Sequence, residues 1–154
     1  MNNSDTNQAK QLNETAVMRG FQIGNIVSRG FMNTTPTGLK KEYEPCEIKS
    51  LGIERIIVNS KINSNELIKM SYDNIRPVEI SDYYLTKFGF EKIDYHRYMI
   101  KPSERFDFYY TFSIHDNTFR FYVGETIICI STIHYVHQLQ NLYFLVQRDW
   151  LNLA

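Results

Sequence analysis

Residues 105–132 read RFDFYYTFSIHDNTFRFYVGETIICIST, and this stretch decides the fold of the C-terminal half. Apolar and polar side chains alternate along its first part with the period of two that is typical of a β-strand. One face of that strand carries Phe106, Phe108, Tyr110 and Phe112, and the other carries Asp107, Tyr109, Thr111 and Ser113. Asp116-Asn117 and Gly124-Glu125 are turn dipeptides that divide the remainder. The stretch predicts an antiparallel meander with an aromatic inner face.

A short helix is predicted before the meander, in EISDYYLTKFGFEKI (residues 79–93). Ser81 is a suitable N-cap, and Asp82 carries a negative charge at the positive end of the helix. Gly89 can end the helix in a left-handed conformation, with Phe90 folding back as its hydrophobic contact.

After the meander, IHYVHQLQNLYFLV (residues 133–146) predicts an amphipathic helix. Its apolar stripe, spaced alternately three and four residues apart, is Val136, Leu139, Tyr143, Val146 and Trp150. His137 and Gln140 fall largely outside the stripe. His134 and His137 lie at i and i+3, but a stable metal site needs three or four ligands and no neighbouring residue completes one. We therefore interpret them as polar residues that flank a packing helix, and expect neither a metal nor a cofactor.

The N-terminal half has a different pattern of apolar residues. Several short apolar runs without a helical period lie between residues 20 and 79, and they predict a small SH3-like antiparallel β-barrel. The segment MNTTPTGLKKEYEPC (residues 32–46) has turn chemistry and little to bury, and is predicted to be an exposed connection. Residues 1–19 are rich in Asn, Gln, Ser and Thr and are expected to form a flexible N-terminal arm.

These predictions together give an α+β fold in one chain of 154 residues. The barrel-like unit covers residues 20–79, and residues 80–154 form a helix, an antiparallel meander and the C-terminal amphipathic helix. The two units are expected to pack as one body.

The composition and the motifs of the chain limit the classes of function that it can have. Lys plus Arg and Asp plus Glu are both 17, so the formal net charge is +0, which disfavours indiscriminate binding of DNA or RNA. Cys46 and Cys129 lie far apart and form no CxxC pair, as expected of reduced thiols in a cytoplasmic protein. No window has the length and apolar character of a signal peptide or a transmembrane helix. Phosphate-binding glycine motifs and the nucleophile elbow of hydrolases are absent as well, so no catalytic residue is predicted.

Three phrases resemble one protein family: IRPVEIS (residues 75–81), LTKFGFEK (85–92) and YVHQLQNLYFLV (135–146). The family comprises small uncharacterised proteins encoded in phages, prophages and mobile elements of Bacteroides-type bacteria, and the resemblance covers roughly Gly20 to Val146. Tyr84 stands where the family's tryptophan would fall, and LVQRDWL replaces the usual ALTGEEL ending. The resemblance implies a bacterial or phage origin and a two-part layout. It carries over no activity and no catalytic residue.

One segment mixes cations with aromatic rings. Residues 95–110 interleave Arg97, Lys101 and Arg105 with rings that include Tyr98 and Tyr109. Such a mixture can stack bases and contact phosphates, although a sheet with aromatic residues on both faces has the same composition. Lys40 and Lys41, with Arg29, indicate a second surface that would meet an acidic partner or would be only a solvated loop.

Three functions remain open at this point. The leading hypothesis is a non-enzymatic phage or mobile-element accessory protein that binds a host or phage protein as a monomer or homodimer in the bacterial cytoplasm. The alternative is a nucleic-acid or nucleotide binder that uses strand 95–110. A third is an enzyme whose site would require histidines, Cys46 and carboxylates to converge in a pocket.

Overall fold

A computed structural model describes residues 20–52, 55–60, 66–102 and 107–147. The predicted N-terminal arm (residues 1–19), as well as Arg105, Phe106 and Trp150, lies outside the described residues. The chain divides into two compact units between Val78 and Glu79. In the described residues each unit is built on a five-stranded antiparallel sheet, and those of the second also form two α-helices. The predicted α+β class is confirmed.

The described part of unit 1 contains five strands and one turn of 3-10 helix. The strands are β1 (Ile26–Thr35), β2 (Gly38–Leu51), β3 (Arg55–Ser60), β4 (Leu67–Ser71) and β5 (Ile75–Pro77), with the 3-10 helix at Tyr72–Asn74. Their order across the sheet is β4-β3-β2-β1-β5. The outer strands are β4 and β5, and within the described residues no ladder joins them into a closed barrel.

The core of unit 1 follows from the alternation along its strands. Its buried members are Phe21, Val27, Cys46, Ile48, Ile56, Val58, Tyr72 and Ile75, with Ile68 and Met70 packed against them. Removing these side chains from water is the main stabilising contribution, roughly 1.5–3 kcal/mol for each large one. The Tyr72 hydroxyl donates a hydrogen bond of 2.8 Å to the carbonyl of Gly52, so its polar group is satisfied at the edge of this core.

The prediction for residues 32–46 was wrong. They are strand rather than an exposed connection, because β1 and β2 pair along their whole shared length, from Ile26 opposite Glu47 to Thr35 opposite Gly38. A loop of only two residues, Pro36 and Thr37, joins the strands. Backbone hydrogen bonds hold such a ladder without buried side chains, so the segment has no hydrophobic alternation to reveal it.

Unit 2 has the predicted order of elements. Its helices are α1 (Asp82–Lys87) and α2 (Val136–Gln147), and its strands are β6 (Glu91–Lys92), β7 (Arg97–Ile100), β8 (Phe108–Ser113), β9 (Thr118–Val123) and β10 (Thr126–Thr132). The strands form a meander in the order β10-β9-β8-β7-β6. Turns at residues 114–117 and 124–125 connect the last three strands, as predicted.

The two faces of this meander differ. Tyr110, which is fully buried, contacts Tyr143 of α2 at 5.4 Å between ring centroids and stacks on Phe119 and Phe121. We call this the inner face. On the outer face, Tyr109 stacks on Tyr122 with centroids 4.6 Å apart and planes within 5°. The aromatic inner face is thus confirmed for the described part of β8.

Helix α2 is buried more widely than its stripe predicts. Val136, Leu139 and Tyr143 are buried as expected, but His137 and Gln140 are also only 2% and 1% exposed. The interpretation of these two as residues outside the packed face was wrong, because the helix is covered on one flank of the stripe too. The ring of His137 stacks on that of Tyr135, with centroids 5.8 Å apart. The side chain of Gln138 accepts backbone hydrogen bonds from His134 and Tyr135 and so caps the helix start.

Helix α1 ends as its sequence predicts. Gly89 has φ +84°, its N–H donates to the carbonyl of Thr86, and the N–H of Phe90 donates to that of Leu85. These two bonds form the Schellman motif, and Phe90 is buried. At the other end Ser81 has the extended backbone of an N-cap, although its hydroxyl makes no capping bond within the described chain.

We expect Gly89→Val to destabilise unit 2 by about 1–2 kcal/mol, since a β-branched residue is strained at positive φ. Gly89→Asn should cost clearly less, because asparagine tolerates the left-handed region. Chemical denaturation of the full chain measures both. Equal losses for the two variants would show that the left-handed backbone is not the reason for the glycine.

Candidate functional site

The β1–β2 pair extends beyond its own sheet. Strand β5 pairs with β1 only at Val27–Arg29, and β3 pairs with β2 only from Cys46 onward. Residues 30–43 therefore form a two-stranded ribbon that has no third strand among the described residues. Both faces of such a ribbon are available to a partner.

A buried ion pair anchors the ribbon at its base. The guanidinium of Arg29 contacts the carboxylate of Glu44 directly across the ladder, and their side chains are only 16% and 5% exposed. The guanidinium also lies 5.5 Å from the ring centroid of Phe31. Cys46, two residues after Glu44, belongs to the core. The pair thus stands where the core ends and the ribbon begins.

Antiparallel pairing assigns each ribbon residue to a face, because directly opposite residues project on the same side. Tyr43 lies opposite Gly30, Lys41 opposite Met32, and Leu39 opposite Thr34. Arg76 of β5 joins this side, since it lies opposite Ser28 of β1. We call the set Met32, Leu39, Lys41, Tyr43 and Arg76 the cationic face.

Two cations flank one tyrosine ring on this face. Arg76 Cζ lies 4.4 Å from the Tyr43 ring centroid, and Lys41 Nζ lies 5.8 Å from it. Gly30 leaves the room that this needs, because a Cβ atom there would come within 2.7 Å of Lys41 Cε and 3.2 Å of Tyr43 Cε1. Cation–π attraction of about 0.5–1 kcal/mol per exposed contact holds the three side chains together.

The cationic face has no acidic residue. Neither Lys41 nor Arg76 forms an ion pair with any residue of the described chain. On the opposite face of the ribbon, by contrast, Glu42 lies 3.9 Å from Lys40 and accepts a hydrogen bond of 3.1 Å from Asn33. The ribbon therefore has one charge-compensated face and one that is purely cationic.

The cationic face also carries exposed apolar side chains. Met32 is 58% exposed, Leu39 71% and Tyr43 39%, although none of them is needed for the core. Exposed apolar side chains grouped around charged ones are typical of a surface that binds another protein. Lys40 and Lys41, which the sequence analysis grouped on one surface, lie on opposite faces of the ribbon. Lys41 belongs to the cationic face and Lys40 to the other.

The predicted residues of the 95–110 segment do not converge. Arg97 and Tyr109 belong to the outer face of the meander, whereas Tyr98 is 2% exposed on the inner face. Lys101 is exposed just beyond β7, and Arg97 pairs with Asp94 at 2.5 Å. The physical reason is the strand period, which sends adjacent residues to opposite faces.

Tyr98 instead takes part in a small polar network beside α1. A hydrogen bond from Tyr98 is the main cause that lowers the pKa of the Asp82 carboxyl, and Lys92, 3.3 Å away, is the second. A shallow cleft of about 450 Å³ lies over this network, lined by Asp82, Tyr83, Thr86, Lys87, Lys92 and Tyr98. Within it, the charges of Asp82 and Lys92 compensate each other.

Two of the four histidines lie near each other. His96 and His115 come within 5.3 Å between ring centroids, a proximity that the sequence analysis missed, but both are exposed at turns. No group of three or more His, Cys, Asp or Glu side chains in the described ranges could hold a metal ion.

The sequence analysis missed most of the cationic face. Arg76 was not considered, and neither were Tyr43, Met32 and Leu39. One local signal was present, since Leu39, Lys41 and Tyr43 alternate with Lys40 and Glu42 in GLKKEYE. That spacing puts the first three on one side of a strand.

Comparisons with known proteins identify no relative: no family model, no curated protein and no solved structure matches the chain. Among the described helices, none combines the length and the apolar character needed to cross a membrane.

Glu44→Ala should lower the free energy of unfolding by about 3 kcal/mol, because it leaves the Arg29 charge buried without its partner. The matched control is Glu42→Ala, two residues away on the same face, whose pair with Lys40 is exposed and is worth under about 1 kcal/mol. Urea denaturation measures both losses. Similar values for the two variants would contradict a structural role for the buried pair.

Cys46 should be unreactive in the folded protein. Burial, and then the nearby Glu44 carboxylate, raise the pKa of its thiol to about 11. Only the thiolate is nucleophilic, so alkylation at pH 8 should be about two orders of magnitude slower than in the unfolded chain, where the pKa is about 8.5. Iodoacetamide labelling of a Cys129→Ser variant, with and without denaturant, measures this ratio.

The same shift has a consequence for stability. The folded state binds the thiol proton more tightly than the unfolded state, so this contribution is fully present below pH about 8.5. It should be lost as the pH rises toward about 11. In the labelling experiment, equal rates in folded and denatured protein would contradict the raised pKa of the Cys46 thiol.

Proposed function

We propose that this chain is a non-enzymatic protein-binding module whose cationic face binds an acidic, partly apolar surface of a host or phage protein. The observation that carries the proposal is the pair of cations around Tyr43, which has no carboxylate partner among the described residues and lies between exposed Met32 and Leu39.

The charge of the face indicates the charge of the partner. A carboxylate brought between Lys41 and Arg76 would be within reach of two donors, and the bond to Arg76 can be bidentate. Both cations are already oriented by the ring of Tyr43, so less side-chain entropy is lost on binding than for free lysine and arginine side chains. Electrostatic complementarity of this kind favours fast association and correct orientation.

The apolar residues indicate that the partner is a protein. Met32 and Leu39 would gain affinity from apolar side chains of a partner, and methionine adapts readily to different shapes. A phosphate backbone offers no such groups, and the neutral net charge gives no general attraction to nucleic acid. For the alternative function on residues 95–110, the burial of Tyr98 removes one of the rings that would stack on bases.

Finer features belong to the same proposal. The strand order β4-β3-β2-β1-β5, with a 3-10 helix between β4 and β5, supports an SH3-like arrangement of unit 1. The origin in a phage or mobile element of Bacteroides-type bacteria rests on the three phrases that resemble that family. Both cysteines are free, which supports a bacterial cytoplasmic location.

A peptide-display selection on the full chain tests the proposal. We expect the selected peptides to combine Asp or Glu with apolar residues, and Lys41→Glu with Arg76→Glu to weaken their binding by at least about tenfold, or 1.4 kcal/mol. Lys40→Glu is the matched control, because it reverses the charge of the neighbouring lysine on the opposite face. It should leave affinity within about twofold.

Two outcomes would overturn the proposal. One is the selection of peptides without acidic residues, or of acidic peptides whose affinity is unchanged by the double reversal. The other is salt-dependent binding of single-stranded oligonucleotides that is lost in the double variant, which would establish the nucleic-acid alternative on the cationic face instead.

A further inference from the structure

Strand β10 is an outer strand without the usual protection against further pairing. Its sequence is TIICIST, which contains no charged residue and no proline. Ile127 is 44% exposed, Ile128 57% and Ile130 61%. Within the described chain, no strand pairs with the edge that faces away from β9. The strand therefore presents a row of backbone donors and acceptors flanked by apolar β-branched side chains.

Strands β4, β5 and β6, which with β10 lie at the ends of the two described sheets, differ from it. Strand β4 has Lys69 exposed at its centre, and β5 is three residues long and contains Arg76 and Pro77. Strand β6 is only Glu91 and Lys92. Charges, proline and short length are the devices by which proteins keep outer strands from pairing. Among these four, β10 alone combines seven residues with the absence of charge and proline.

One irregularity limits how much of β10 can pair. The register with β9 shifts between Ile127 and Cys129, which indicates a β-bulge at Ile128. A bulge bends the strand and increases its twist. The regular part is Cys129–Thr132, which pairs in register with Phe121 to Thr118 of β9. A new strand would be built mainly on this regular part.

We propose that β10 pairs antiparallel with β10 of a second copy of this chain, which joins two five-stranded sheets across a two-fold axis. The inference is independent of the proposed function, since it concerns unit 2 and the cationic face belongs to unit 1. It assigns the exposed isoleucines to an interface between identical subunits.

The charge pattern favours a second copy as the occupant. In a two-fold interface the same strand faces itself, so every charged residue would bring a like charge close to it. The absence of charge between Thr126 and Thr132 removes this repulsion at every register. Residues of one face meet residues of the same face, so Ile130 lies opposite Ile130 or Thr132 of the partner.

Preorganisation favours the second copy as well. Its β10 is already held in extended form by β9, whereas a free peptide would lose conformational entropy on joining the sheet. The second copy is also present at the same concentration as the first. A two-fold contact uses each free edge once, so the assembly closes at the dimer.

The size of the contact predicts a weak dimer. Even all seven residues, at about 3.4 Å each, give a strand only about 24 Å long. A strand of this length buries less than the roughly 800 Å² per partner of a standard stable interface. We therefore expect a dissociation constant of about 10–100 µM, within the range of transient complexes.

Sedimentation equilibrium of the full chain from about 1 to 500 µM, a range that brackets this constant, tests the proposal. The native chain should pass from monomer to dimer. Ile130→Lys should raise the dissociation constant at least about tenfold, because the two-fold axis brings the new charge close to its own copy at the pair. Ile128→Lys, at the bulge, should raise it by a smaller factor. Both side chains are more than half exposed, so the variants should fold. Ile23→Lys, of similar exposure but in unit 1, is the control and should dimerise as the native chain does.

Amide hydrogen exchange distinguishes strand pairing from contact between apolar surfaces. Alternate amides of residues 129–132 should become protected as the concentration rises, because the partner strand accepts hydrogen bonds from them. A native chain that stays monomeric to about 500 µM would overturn the inference. So would dimerisation that is unchanged in both lysine variants, or that leaves the β10 amides unprotected. Assembly into species larger than a dimer would contradict an interface that closes on a two-fold axis.

Discussion

The ladder between β1 and β2 is the constraint on which unit 1 depends. At one end it holds Val27 opposite Cys46 in the core, and at the other it continues as a ribbon that buries almost nothing. The Arg29–Glu44 pair stands at the transition. A buried ion pair seldom adds much to net stability, because the desolvation of two charges offsets their attraction. It also fixes the register, because a shift of one strand by one residue would turn one of the two charges to the other face and separate the pair.

The same period of two decides which residues share a face in both segments where the sequence mixes cations with aromatic rings. On the ribbon it separates Lys41 from Lys40, so that one face is cationic and apolar while the other compensates its own charges. On the meander it separates Tyr98 from Arg97, which removes the ring from the surface where the cation lies. A mixture of cations and aromatic rings in sequence is therefore a weak indicator of a binding site until the faces are known. The spatial grouping of Arg76 with Tyr43 is a stronger one.

The two surfaces belong to different kinds of recognition. The cationic face offers side chains whose charge requires a complementary partner, and this favours a heterologous protein. Strand β10 offers mainly backbone groups, and its lack of charge makes a copy of itself an acceptable partner. A dimer built through β10 would carry two cationic faces. If both act together, a partner with repeated acidic segments would be bound by avidity rather than by single-site affinity.

The sequence by itself determined the features that depend on local chemistry. These include the alternation of β8, the turns on either side of β9, the Gly89 end of α1 and hence the α+β class, because period, turn residues and helix caps act within a few positions. Tertiary structure alone decided the rest. The ribbon depends on backbone pairing that leaves no hydrophobic pattern, and the cationic face depends on Arg76 arriving from β5 through that sheet. The burial of His137 and Gln140 depends on what covers the flank of α2. Contacts between residues remote in sequence are set by strand order and packing, which no local pattern encodes.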